Sequence, residues 1–192
     1  MASSTVLVEP GAEPVLVADA MVSLRIDEPE LAPDLERKLL AARQVAEFKT
    51  GRALITQTRR LQLRSWPEPL DEYGPAVLLD FLPVQSIVAL GYWADGEWKS
   101  VQTSGLEILE IDKVTCAVIP ISGGWPELGD KPGYRIRLDF RCGYGDAGTA
   151  VPEPIRQYIV ASAGHALMFP AAEGDAPNEF LDRQLDGWRV WL

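Results

Sequence analysis

Three groups of residues in this chain of 192 have side chains suited to chemistry. The first is "GYGDAG", Gly143 to Gly148. Glycines at this spacing after a strand can cradle a pyrophosphate, provided that a helix opens inside the motif and a second strand brings an acid to the ribose. Here "TAVPEP" separates the glycines from the next helical stretch and no such strand follows, so the residues read as a tight turn. The second group is His165, the only histidine, with Ser162 three residues before it. A Ser-His or Cys-His relay would have to use this imidazole as its base. Ser162 sits within a helical stretch and Val160 stands where a nucleophile elbow needs glycine, so His165 is expected to be packed or to lie in an interface.

The third group is basic: Arg59, Arg60 and Arg64, then Arg135, Arg137 and Arg141, on strand-like stretches with aromatics nearby. Such faces can hold single-stranded nucleic acid by stacking and charge. Interleaved acids and a formal net charge of −10 favour instead a sheet that faces solvent or another subunit. The carboxylates are scattered, with no DxD or ExxH cluster. Cys116 and Cys142 lack the close spacing and histidine partners of a zinc site and are expected to be reduced, half-buried strand residues. No catalytic residue, metal or cofactor is expected, and function is expected to lie in surfaces.

The elements that carry these residues follow from periodicity. "APDLERKLLAARQVAEFKTG" predicts a helix over 33–50, opened by Pro33 and stopped by Gly51. Its core face is expected to hold Leu35, Leu39, Ala42 and Ala46, widened by Ala41, Val45 and Phe48, with Arg37, Lys38, Arg43, Gln44 and Glu47 left for water or a neighbour. "VADAMVSLRI" before it predicts a shorter helix. From Ala53 the period becomes two, which predicts an antiparallel β-rich region over 53–142 of about six strands, with a hairpin turning on Asp95-Gly96. A second helix follows over 152–169, apolar almost all round; Ile155, Ile159, Ala163 and Gly164 form a face where small residues admit another backbone, expected at a subunit interface. The fold class is α+β: a small helical bundle with an antiparallel β-rich insertion between the helices and an extended C-terminal tail.

Charge divides the chain further. Residues 1–30 carry a net −5 and residues 171–192 a net −3, leaving −2 for 31–170. The reading is an N-terminal acidic arm with a short helix over 1–30, a folded body over 31–170, and an acidic linker with an aromatic tail over 171–192. No apolar run approaches the roughly 20 residues that span a bilayer. The start lacks the pattern of a signal peptide, so no membrane contact and a cytoplasmic location are expected. Trp188, Arg189, Val190, Trp191 and Leu192 are expected to dock in a groove on another protein or a neighbouring subunit, Trp and Arg being enriched at interface hot spots. The alternative is a lid folded back on the protein's own sheet.

Five stretches, in this order, resemble the head-to-tail connector (adaptor) proteins of long-tailed bacteriophages: "PVLVADAMVSLRID", "AARQVAEFKTGRALITQTRRLQL", "LPVQSIVALGYWADGEW", "GGWPEL" and "IRLDFRCGYGDAGTAVPEPIRQYIV". The resemblance covers residues 14 to about 169 and makes the 31–170 body a connector domain. It implies a non-enzymatic virion protein of the neck, made in the host cytoplasm, that forms a ring of about twelve copies under the portal protein. The ring would receive a stopper or tail protein below and let double-stranded DNA pass without specific binding. Another neck or tail component, such as a stopper or tail terminator, is the nearest alternative; a small nucleotide-binding enzyme using "GYGDAG" is a more distant one.

Overall fold

The change of period near Ala53 marks a division of the molecule. The computed structural model, which describes residues 4–68, 74–111, 115–169 and 179–189, separates into a helical unit of residues 10–55 with 144–191 and a sheet unit of residues 1–9 with 56–143. The fold is α+β, with four helices and two antiparallel sheets among the described residues.

In the helical unit α1 spans Val17–Leu24, α2 Ala32–Thr50, α3 Glu153–Met168 and α4 Glu179–Arg183. α2 stops because Gly51 adopts a left-handed conformation (φ 65°) and donates its N–H to the Glu47 carbonyl at 2.9 Å. α3 opens on Pro152, at the position before the first turn, and on Pro154 within it, where a missing N–H costs no helical bond. Leu35, Leu39, Ala42 and Ala46 of α2 and Ile155, Tyr158, Ile159 and Ala163 of α3 share one core with Val15, Ala20 and Leu54.

α2 is rotated from the orientation its sequence suggests. Arg43 and Glu47 face inward and are buried, while Ala41, Val45 and Phe48, expected to widen the core face, are exposed. The reason is a network. Arg43 donates from Nε to Glu13 at 2.8 Å and from Nη1 to Glu47 Oε2 at 2.9 Å, and Glu47 Oε1 accepts the Leu54 backbone N–H at 2.9 Å. Each charge is matched, so the pair can sit where one alone would be expelled.

α3 also differs from expectation. Ile155, Ile159, Ala163 and Gly164, expected at a subunit interface, are buried within their own unit. The close approach that Gly164 permits is to Leu24 of α1: a Cβ on Gly164 would lie 2.5 Å from the Leu24 Cδ2. Another close approach is tighter in kind, because a Cβ on Gly148 would lie 2.5 Å from the Pro14 carbonyl oxygen. The "GYGDAG" segment is thus a turn whose last glycine packs on backbone.

The sheet unit holds β1 Thr5–Val8, β2 Gln57–Leu63, β3 Val77–Leu79, β4 Val84–Ala94, β5 Glu97–Val101, β6 Leu106–Glu110, β7 Cys116–Pro120 and β8 Ile136–Cys142. They form a five-stranded sheet in the order β1-β2-β8-β4-β5 and a three-stranded sheet in the order β3-β7-β6. The expected hairpin is present: Ala94 pairs with Glu97, and Asp95 and Gly96 both take positive φ (52° and 83°), the two-residue turn whose twist suits the strands. In β8, Ile136, Leu138 and Phe140 are buried as their alternation predicts, whereas Tyr134 precedes the strand and is exposed.

The first thirty residues, expected as an arm, are divided between the two units. Residues 5–8 add β1 to the sheet, paired with β2, and Ser4 is buried against Arg59, whose Nε donates to its Oγ at 2.7 Å. That guanidinium lies 3.5 Å from the centre of the Phe81 ring. Residues 17–24 form α1 in the helical unit.

Two outcomes follow. Gly148→Ala should destabilise the protein by about 2–3 kcal/mol, since backbone cannot yield, and Gly164→Ala by less, since the Leu24 side chain can turn aside; urea unfolding of both variants measures the order. Cys142 is fully buried, and burial, with the nearby Glu110 charge, pushes the Cys116 thiol up to about 11. Neither should react with a disulfide reagent at pH 8 until the chain is unfolded, because only thiolate attacks; rapid modification of the native protein would contradict this packing.

Candidate interaction surfaces

The residues that could have made a catalytic centre do not converge. His165 is exposed near the end of α3, its ring 5.1 Å from that of Phe169, so it is neither packed in the core nor set beside a buried nucleophile. No cluster of three metal-binding side chains occurs among the described residues, and no helix of them is long and apolar enough to cross a membrane.

The arginine groups divide by strand alternation. Arg59 points inward, as above. Arg60 makes two 2.7 Å hydrogen bonds to the carboxylate of Asp139, its cross-strand partner, which raise the guanidinium pKa. Arg135 Nε donates to the Arg64 carbonyl at 2.6 Å. Arg137 lies 4.0 Å from the centre of the Trp98 ring, and the Lys131 ammonium lies 4.3 Å from Trp93 and 4.4 Å from Trp98, the two rings meeting edge to face at 5.7 Å. A shallow groove of about 290 Å³ runs over this face, floored by Ala89 and Gly91 and walled by Arg60, Asp139, Arg137 and Trp98.

Large apolar side chains are also exposed on three separate elements. Along α2, Leu40, Val45 and Phe48 are exposed, Phe48 by 83%. On α1, Val22 is 80% exposed. Val6, Leu7 and Val8 on β1 are exposed on a strand at the sheet edge. Bare edges and apolar helix stripes are the features that seek a partner.

Of the aromatic tail, Trp188 and Arg189 are described, and Val190, Trp191 and Leu192 lie outside the described residues. Trp188 ends a single 3-10 turn, Asp186–Trp188, and packs half-buried against the helical core beside the fully buried Leu185. Two cations near the end of α2 hold this segment: Lys49 binds Asp182 at 2.5 Å, and Arg52 Nε donates to the Trp188 carbonyl at 2.6 Å. Arg189, expected to dock on another protein or a neighbouring subunit, pairs with Asp186 of its own turn at 3.2 Å. Sequence reasoning missed these holds; the basic run Lys49 and Arg52 at a helix end was the available signal.

No protein-family model matches the chain, and no curated protein does. Solved structures match it along nearly its whole length. A chain of the virion of the native gene transfer agent (GTA) particle aligns with a TM-score of 0.79 and 21% identity, covering 98% of this chain and 96% of that one. A chain of the neck of the empty GTA particle, computed with C6 symmetry, gives the same values. A chain of the neck of the native GTA particle, computed with C12 symmetry, aligns at 0.75 and 23%, covering 100% and 96%. At these identities the likeness is one of fold: the chain has the fold of a chain found in necks of phage-like particles.

Trp188→Ala should lower the stability of the isolated protein by roughly 1–3 kcal/mol, below the range for a fully buried tryptophan because the ring is half-buried. A melting temperature unchanged by this substitution would contradict the packing of the 181–189 segment.

Proposed function

We propose that the protein is a head-to-tail connector of a tailed phage or phage-like particle, a non-enzymatic ring protein that sits between the portal and the next neck or tail protein. The observation that carries the reading is the match in fold, over essentially the whole of both chains, to components of GTA virions and necks. The resemblance of residues 14 to about 169 to connector proteins of long-tailed phages points the same way and rests on different information.

The ring has about twelve copies in this reading, in keeping with the C12 neck. The exposed stripe of Leu40, Val45 and Phe48 supports assembly, since an 83% exposed phenylalanine on a helix gains most from a neighbour. Residues 190–192, with the second tryptophan, dock on the portal or an adjacent subunit, while Trp188 and Leu185 tether them to the protein's own helices. DNA passes through the centre without specific binding; a net charge of −10 weakens any grip on phosphate. A hexameric neck or tail component is the second reading, favoured by the C6 match.

Inactivating the gene in a producing strain tests the role. Filled heads should accumulate apart from tails, lose DNA, and regain tails when the gene is supplied in trans. Complete, tailed, infectious or transducing particles from the deletion strain would refute the proposal. Mass measurement of the complex with the portal separates twelve copies from six.

A further inference from the structure

The cationic groove on the five-stranded sheet has a charge that nothing within the described residues answers. Asp139 neutralises Arg60, and Asp95 pairs with Lys99. Arg137 and Lys131 have no such partner among the described residues: both are held over tryptophan rings, and the Arg137 Nε is buried with no hydrogen-bond acceptor. A guanidinium fixed on a ring is already ordered for a carboxylate. Small residues at Ala89 and Gly91 leave room above the strands for an incoming side chain. In a chain of net charge −10 such a positive spot is unusual, and a Cβ on Gly91 would lie 3.7 Å from the Trp98 ring that carries Arg137.

The same chain presents the complementary surface. "DEPELAPDLE", Asp27 to Glu36, places five acids in ten residues without a base. Asp27, Glu28, Glu30 and Glu36 are exposed, and among the described residues Asp34 is engaged by Arg37. A protomer with one positive and one negative patch associates head to tail, the heterologous geometry that closes into a ring.

We propose that the Arg137 groove of one copy, with Lys131 over the Trp98 ring beside it, binds the acidic Asp27–Glu36 stretch of a second copy, and that this contact sets the register between neighbours in the ring. It rests on the reading of the protein as a ring-forming connector. Carboxylates of the stretch meet the Arg137 guanidinium and the Lys131 ammonium beside the tryptophan rings.

Charge exchange in full-length protein, assembled on the portal and followed by native mass spectrometry and negative-stain imaging, tests this. Wild type should give closed rings. Arg137→Glu with Lys131→Glu should weaken ring closure at least tenfold in protein concentration, as should Glu28→Lys with Glu30→Lys. The chain carrying all four should recover rings, which no folding defect could imitate; Lys131→Glu alone should give an intermediate loss, weaker still at high salt. Wild type that forms no ring overturns both the connector reading and this inference. Wild-type rings with undiminished closure in both reversed pairs, or no recovery in the fourfold variant, overturn the inference alone. So does salt-sensitive binding of DNA by wild type that vanishes with Arg137→Glu while rings persist.

Discussion

The helical unit is organised around one costly arrangement, the buried ion pair between Arg43 and Glu47. A charge moved into a protein interior is unfavourable by several kcal/mol unless every group on it is matched, and breaking such a pair commonly costs about 3–5 kcal/mol. Here the matching groups come from distant parts of the chain: Glu13 before α1 and the backbone N–H of Leu54 beyond α2. The pair therefore fixes more than a helix. It pins the segment that leads into α1 and the one that leaves α2 to the same two side chains, and it sets the rotation of α2 about its axis.

That rotation decides which surface is left over. With Arg43 and Glu47 inward, Val45 and Phe48 must point out, so a helix that carries enough apolar residues to bury a wide face shows some of them to solvent instead. The same helix end supplies Lys49 and Arg52, which hold Asp182 and the Trp188 carbonyl. Placement of the C-terminal segment is in this way a consequence of α2. The sheet unit follows a parallel logic, with Arg59 buried to anchor Ser4 and β1, and Arg60 matched by Asp139 across the strands.

Local order was legible in the sequence. Proline and glycine marked the ends of α2 and α3 to within a residue, and alternation identified β8 and the Asp95-Gly96 hairpin, because these features depend on neighbours in the chain. Partners across the fold were not legible. Arg43 and Glu47 read as residues left for water or a neighbour, since nothing local reveals that Glu13 and Leu54 will complete their shell. The small face of α3 implied a close backbone, but at Gly164 the neighbour is the side chain of Leu24 of α1, within the same chain. Residues 5–8 read as part of a charged arm because four residues carry too little pattern to announce an edge strand. Among the described residues, an apolar helix stripe, a strand edge and a cationic groove lie exposed.

The central claim is that these surfaces are closed by copies of the same protein in the neck of a particle, and a cryo-EM reconstruction of that neck tests it most directly. The account predicts one ring of this protomer, of about twelve copies, between portal and tail, with Phe48 and Val45 covered by a neighbouring chain and the DNA channel at its centre. A neck that contains no such ring, or a ring in which Phe48 faces open solvent in every copy, would contradict it.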